Sequence, residues 1–246
     1  MNKALILIPS RLSAQRLPGK PLLEINNLPI ISHVVKRGQE TKIGEVIVCA
    51  EDKAIVAAVE KHGGRAILTG SHHKNGTERI YEGLQKLRKN DVEYVISLQG
   101  DEPEISPEDI KNLYHHMVKS NSDIGTLAAE IKDKTILSNE NIVKVTTQEK
   151  LNINSFVLAI NFLRDDLSKE SSNVYQHIGI YCYKVSTLKK FVNLKQTKNE
   201  IKNRLEQLRA IDNNIKIKVA LAKSSSVGVD TKEDYLALKK IMEYKS

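Results

Sequence analysis

Long apolar runs are missing from this chain of 246 residues. None approaches the roughly 20 residues that a membrane-spanning helix needs. The opening run Leu5-Ile6-Leu7-Ile8 is also too brief for a signal peptide. It passes into a polar, Arg-rich loop, where a signal peptide would end in a small-residue cleavage site. It reads instead as the first strand of a cytosolic protein. Cysteine is scarce: Cys49 and Cys182 both fall in apolar, strand-like runs. That placement points to buried free thiols and excludes a disulfide framework or a CxxC metal site. Tryptophan is absent and aromatics make up 4% of the chain. The net charge of +8 would suit a nucleic-acid partner, but no basic strip interleaved with aromatics carries it. Lysines such as Lys189, Lys190, Lys239 and Lys240 are scattered over helices, and the clustered arginines fit a small substrate with several negative charges. There is no GxGxxG loop, no Walker A loop and no Ser-His-Asp or Cys-His order. The pairs His72-His73 and His115-His116 lack metal-ligand spacing and read as surface.

What is present is an alternation of strand and helix patterns over the first half. Strands are expected at Leu5–Ile8, Val46–Ala50, Ala66–Leu68 and Tyr94–Leu98. Helices are expected at Pro29–Gln39, Ala54–His62 and Glu78–Leu87, and from Ser106-Pro107 onward, where a hydroxyl cap precedes a proline. Spacing of this kind predicts parallel βαβ units with helices on both faces. The second half changes character. Ile124–Ile131, Val143–Thr147, Phe156–Phe162 and Ile178–Tyr183 are strand-like with little helix between them, so residues 124–185 form a β-rich excursion of mixed pairing. Helices return over Ser186–Asn193 and Glu200–Ala210, followed by strand Ile215–Leu221 and a last helix from Thr231. With 40% hydrophobic residues, no repeat and no long linker, residues 1–246 read as one α/β domain.

Ligands of open α/β sheets bind beyond the carboxyl ends of the strands, which directs attention to a few loops. After the first strand, Pro9–Pro21 carries Ser10, Arg11, Arg16 and Lys20. Guanidinium forks match phosphate oxygens and a lysine adds a mobile charge, although a solvated basic loop has the same letters. After the strand ending at Leu98 comes Gln99-Gly100-Asp101-Glu102-Pro103. An acid there is placed to hold a Mg²⁺ that bridges nucleotide phosphates, and a plain Gly-Asp turn is the alternative. Gly228-Val229-Asp230-Thr231 precedes the last helix. Asp230 is either a second metal carboxylate or only an acid at a helix start, with Thr231 and Asp234 as a capping box. Asn75-Gly76-Thr77-Glu78-Arg79 enters a helix with Thr77 as the simple cap, and its amides and Arg79 are suited to an anion. His177–Tyr181 and Arg204–Arg209 set polar groups beside apolar runs, and by themselves they read as structural.

Taken in order, these segments resemble the CMP-Kdo synthetase (3-deoxy-manno-octulosonate cytidylyltransferase) family. The resemblance runs from Ile8-Pro9-Ser10-Arg11 and Leu17-Pro18-Gly19-Lys20-Pro21 through Gly76-Thr77-Glu78-Arg79 and Gln99–Pro103. It continues through His177-Ile178-Gly179-Ile180-Tyr181 and Leu205–Arg209 to Gly228-Val229-Asp230-Thr231. It implies a Rossmann-like nucleotidyltransferase fold with a mixed, mostly parallel sheet, and a homodimer through the β-rich excursion. It implies CTP and Kdo as substrates, Mg²⁺ as cofactor, and a cytoplasmic role in lipopolysaccharide synthesis, with neither nucleic acid nor membrane as partner. Carried over by position, Arg16, Lys20 and Asp101 are catalytic, while Ser10, Arg11, Lys20, Arg79 and Gln99 contact the nucleotide. His177, Tyr181, Glu206 and Gln207 line the sugar region, and Asp101 and Asp230 hold the metal. The chain departs from the family pattern in Phe156–Asn161, which lacks a Ser-Arg pair, in Ser224–Val227, which replaces Pro-Gly-Thr, and in Asn26-Asn27, which replaces Asn-Gly. A cytidylyltransferase for another acidic sugar and a catalytically weak nucleotide-binding homologue are the competing readings.

Overall fold

The computed structural model describes residues 3–13, 16–167, 173–223 and 228–244. They divide into two compact units, Met1–Ile110 with Ser226–Ser246, and Lys111–Ser225.

The first unit is built on strand β1 (Ala4–Ser10), whose Ile6, Leu7 and Ile8 are fully buried. An unbroken apolar run of this kind suits a strand covered on both faces rather than one with a wet side. The hairpin β2 (Glu24–Ile25) and β3 (Leu28–Pro29) turns at Asn26 and Asn27, both with positive φ (51° and 57°). A two-residue hairpin turn needs left-handed backbone at both central positions, and asparagine tolerates it, so Asn-Asn replaces Asn-Gly without loss of the turn. Helix α1 (Ile30–Glu40) buries Ile30, Ile31, Val34 and Val35, the face its periodicity predicts. Strand β4 (Gly44–Ala50), helix α2 (Lys53–Lys61), strand β5 (Arg65–Leu68), helix α3 (Gly76–Leu87) and strand β6 (Tyr94–Ser97) complete the pattern. The four strands are parallel, in the order β5-β4-β1-β6. Helix α3 begins two residues earlier than its letters suggest. Its cap is Asn75, whose side chain accepts from the Glu78 amide at 2.8 Å, and Thr77 lies buried inside the first turn.

Helix α4 (Pro107–Ser120) starts as expected, with Ser106 Oγ accepting from the Asp109 amide at 3.3 Å. The second unit continues with β7 (Ile124–Ala129), a short helix α5 (Thr135–Ser138), β8 (Lys144–Thr147), β9 (Phe156–Leu163) and β10 (Val174–Lys184). Then come α6 (Val185–Val192), α7 (Lys198–Asn203), α8 (Leu208–Asp212) and β11 (Ile217–Leu221). Its strands run β10-β7-β11-β9-β8, and β8 also pairs with β10. Among its described residues β7 and β11 pair in parallel, and β10–β7, β10–β8, β11–β9 and β8–β9 are antiparallel. The mixed pairing expected of this half is therefore present. The single helix expected over 200–210 is instead two, broken at Arg204, which sits in left-handed backbone with φ 52°.

The chain returns to the first unit as α9 (Lys232–Tyr244). Buried Val229 and Leu238 pack with Ile25 and Ile30, flanked by Leu17, Leu23, Tyr235 and Met242. Tyr235 adds a hydrogen bond from its hydroxyl to the Glu24 carbonyl at 2.7 Å. This apolar cluster fixes Leu17 and Val229, and with them the polar residues beside each in the chain, Arg16 and Asp230.

Candidate active site

The basic loop after β1 closes on itself before it meets any acid. The Gly19 amide donates to the Leu12 carbonyl at 3.0 Å, and a 3-10 turn over Lys20–Leu22 follows. That turn holds the Lys20 amine against three acceptors. It pairs with the Asp101 carboxylate and lies 3.0 Å from the Val229 carbonyl and 3.2 Å from Asp230 Oδ1. Burial works against the lysine charge, but Asp101 and then Asp230 outweigh it and hold the amine above its ordinary pKa. Arg16 reaches the other oxygen, Asp230 Oδ2, at 2.8 Å.

Each acid is positioned by backbone. Asp101 follows β6, and its carbonyl accepts from the Val229 amide at 2.9 Å, tying the two acidic loops together. Gly100 is required for close approach within the protein: a Cβ there would lie 3.0 Å from the Pro9 carbonyl oxygen and 3.2 Å from Ile31. Asp230 is braced by the capping box at the start of α9. The Asp234 carboxylate accepts from the Asp230 and Thr231 amides at 3.1 and 2.8 Å, and the Thr231 hydroxyl accepts from the Asp234 amide at 3.1 Å. Asp234 therefore caps the helix, while the Asp230 carboxylate faces Lys20 and Arg16.

The other nucleotide candidates occupy different settings. Ser10 is buried at the end of β1, and its hydroxyl meets no hydrogen-bond partner among the described residues. Arg11 is exposed, and Gln99 is half-buried just before Asp101. Arg79 is 3% exposed and heavily committed. It donates to Thr69 Oγ1 and the Gly70 carbonyl, both at 2.9 Å, and pairs with Glu51 at 2.7 Å. In this state Arg79 braces the loop after β5. Glu51, which neutralises it, also accepts from the Ser13 hydroxyl of the basic loop at 3.4 Å. Sequence reasoning passed over Glu51, although it directly follows β4 and the same strand-end rule that picked Asp101 would have found it.

In the second unit the motif His177–Tyr181 is a β-bulge. The register of β10 against β7 shifts between Ile178 and Tyr181, a device that re-aims side chains. Thr126, fully buried on β7, organises it: its hydroxyl lies 2.7 Å from the Ile180 carbonyl and 3.0 Å from His177 Nε2. The Ile178 carbonyl lies 3.2 Å from the same hydroxyl, so Thr126 ties both sides of the bulge and the imidazole together. Desolvation pushes His177 down to about 3 and, first among several causes, raises Tyr181 well above the ordinary phenol value. His177 lies 5.0 Å from Phe162 and 5.5 Å from Tyr181, centroid to centroid.

Glu206 and Gln207 sit on the turn into α8, which is anchored from below by Arg209. That arginine is almost fully buried, bonds Glu200 twice at 2.8 and 2.5 Å, and lies 5.0 Å over the Phe191 ring. Ser224–Val227, the departure ahead of Gly228, lies outside the described residues. The histidine pairs are less superficial than their letters suggest. His116 stacks on Phe156 at 5.1 Å, and His73 is bonded to Glu82.

A cytidylyltransferase family model matches residues 5–217. A 3-deoxy-manno-octulosonate cytidylyltransferase from Afipia carboxidovorans is 39% identical over 98% of this chain and 97% of its own length. The protein of that name from Thermodesulfovibrio yellowstonii is 43% identical over 93% of each chain. The chain belongs to the 3-deoxy-manno-octulosonate cytidylyltransferase family. A solved CMP:2-keto-3-deoxy-manno-octonic acid synthetase complexed with CTP superposes with a TM-score of 0.88 at 32% identity, covering 99% of both chains. The family's mixed α/β nucleotidyltransferase fold is therefore this chain's fold. No helix among the described residues is long and apolar enough to cross a membrane.

Proposed function

We propose that this chain transfers the CMP group of CTP to the anomeric hydroxyl of Kdo, releasing pyrophosphate and supplying CMP-Kdo for lipopolysaccharide synthesis. The observation that carries the reading is the convergence of Asp101 and Asp230 on one cation, the Lys20 amine, beside a loop with two further arginines. An attacking oxygen forms a bond to the α-phosphorus while the bond to the pyrophosphate oxygen breaks, and the hydroxyl proton passes to water. The charge that develops on phosphoryl oxygens needs positive groups already in place. Arg11, Arg16 and Lys20 are the positive groups of that loop. Ser10, whose buried hydroxyl has no partner among the described residues, and Gln99 serve the nucleotide. Arg79, through Gly70 and Glu51, holds the loop that borders it.

The donor set at Lys20 also suits a hard divalent cation. Two carboxylates and the Val229 carbonyl offer oxygen ligands of the kind Mg²⁺ takes. Asp101 and Asp230 would hold it, and bound Mg²⁺ supplies charge neutralisation at the phosphates. His177, Tyr181, Glu206 and Gln207 are the proposed sugar contacts. A homodimer is part of the reading, supported by Ile153 and Ile160, which are 46% and 57% exposed in the β8–β9 region. The cytoplasm is its proposed compartment.

Pyrophosphate release from CTP with MgCl2 across a panel of acidic sugars tests the reading, with turnover expected on Kdo. Turnover on a different acid alone would keep the class and overturn the sugar. CTP binding without product from any acid would overturn the reaction.

A further inference from the structure

The loop between β5 and α3 gathers donors of a different chemistry from those at Lys20. One ligand atom each from His72, His73 and Glu82 all lie within 4.8 Å of one another. His73 and Glu82 are already in hydrogen-bond contact, and the His72 ring is 4.4 Å from the His73 ring, tilted by 40°. Adjacent histidines diverge on a regular strand or helix, but residues 71–74 belong to neither, so the two rings turn to the same side. Gly70 makes this possible: a Cβ there would lie 2.5 Å from the His72 imidazole.

We propose that His72, His73 and Glu82 form a binding site for a divalent transition-metal ion of the zinc class, built from none of the residues that surround Lys20. Two imidazoles and one carboxylate are a three-ligand set that zinc takes readily, with water completing a tetrahedron. Imidazole nitrogen selects zinc-class ions over Mg²⁺. Zn–N bonds of about 2.0–2.1 Å place tetrahedral ligand atoms roughly 3.3 Å apart, so the set must contract. His72 is exposed and can supply that movement by a rotamer change. Glu82 is preset for the role. Its carboxylate already accepts from Lys86, His73 and the Gly70 amide. The pairing with Lys86 is at a half-exposed lysine, an ion pair of the kind that contributes little and yields easily to a metal. Ligation through His73 Nε2 moves its proton to Nδ1.

Occupancy has a structural consequence. The Gly70 amide donates to Glu82 at 2.9 Å, and the Gly70 carbonyl accepts from Arg79 at 2.9 Å. Metal at Glu82 therefore acts on the same peptide segment that Arg79 braces.

Calorimetric titration of the full chain with ZnCl2 alone, in excess MgCl2, tests the site. The expected result is one Zn²⁺ per chain, retained in Asp101→Asn. In His72→Ala and Glu82→Gln, binding should weaken by at least the roughly 10- to 100-fold that loss of even an outer-shell partner costs. Because His72 is exposed, its alanine variant keeps the fold. Co²⁺ should give the intense visible bands of a four-coordinate site, abolished by His72→Ala. Absence of stoichiometric Zn²⁺ binding, unchanged affinity in both variants, or only the weak spectrum of six oxygen ligands would overturn the proposal.

Discussion

The clusters around Lys20 and around Arg209 use charge in opposite ways. In the first, Arg16, Lys20, Asp101 and Asp230 form a cluster that remains partly open, with Arg16 and Asp230 side chains 61% and 47% exposed. In the second, Arg209 and Glu200 are 2% and 5% exposed, and the polar residues of the β10 bulge are held neutral by burial. Open charges beside loops can exchange partners for a phosphate or a metal, whereas a buried, doubly hydrogen-bonded pair cannot do so without unfolding its surroundings. Charge around Lys20 is therefore able to change partners, and the Arg209–Glu200 pair maintains shape.

The largest expected effect tests the structural half of that contrast. Arg209→Ala strands Glu200 in the interior and should cost about 3–5 kcal/mol of stability, read by urea denaturation. A loss no larger than that of a surface arginine would break the contrast. Asp101→Asn should do the reverse, lowering kcat by about 100- to 1,000-fold with an unchanged circular dichroism spectrum and denaturation midpoint. Near-normal pyrophosphate release would remove Asp101 from the proposed metal and phosphate machinery.

The pH dependence of stability sharpens the comparison from the other side. The folded pKa of His177, about 3, lies below its ordinary 6.5, so the unfolded chain takes up the proton first. The contribution of His177 is complete above pH 6.5 and is lost as the pH falls toward about 3. His177→Phe should flatten that part of the stability profile measured by denaturant titration, and an unchanged slope would show that the imidazole is not desolvated. The smallest effect belongs to Arg16→Ala. Its ion pair is exposed, so the stability change should stay below about 1 kcal/mol, while turnover falls if Arg16 meets a phosphate.

Much of the first unit was legible because its elements obey local rules. The apolar run of β1, the one-sided pattern of α1 and the capping box at Thr231 and Asp234 each predict their own geometry. Arg204 was not legible in the same way. It ends α7 as a left-handed cap whose amide, like that of Leu205, donates to the Glu200 carbonyl, a stop usually marked by glycine. Of the pair read as surface, His72 is exposed, while His73 turns inward to Glu82, a contact that depends on the tertiary neighbour and not on the letters. Arg79 looked like a spare anion ligand, and its commitment to Glu51 depends on β4 and β5 being neighbours.

The sequence by itself determined the class of fold, the loops at the strand ends and the residue types available for phosphate and metal, because periodicity and capping act over a few residues. Tertiary structure decided which of those residues meet. Lys20 is 81 residues from Asp101 and 210 from Asp230; pairing of β1 with β6 closes the first distance, and burial of the Leu17 and Val229 cluster closes the second. Tertiary packing also turned Arg79 and Arg209 inward as braces and left Arg16 exposed, a division that their chemical identity alone does not make.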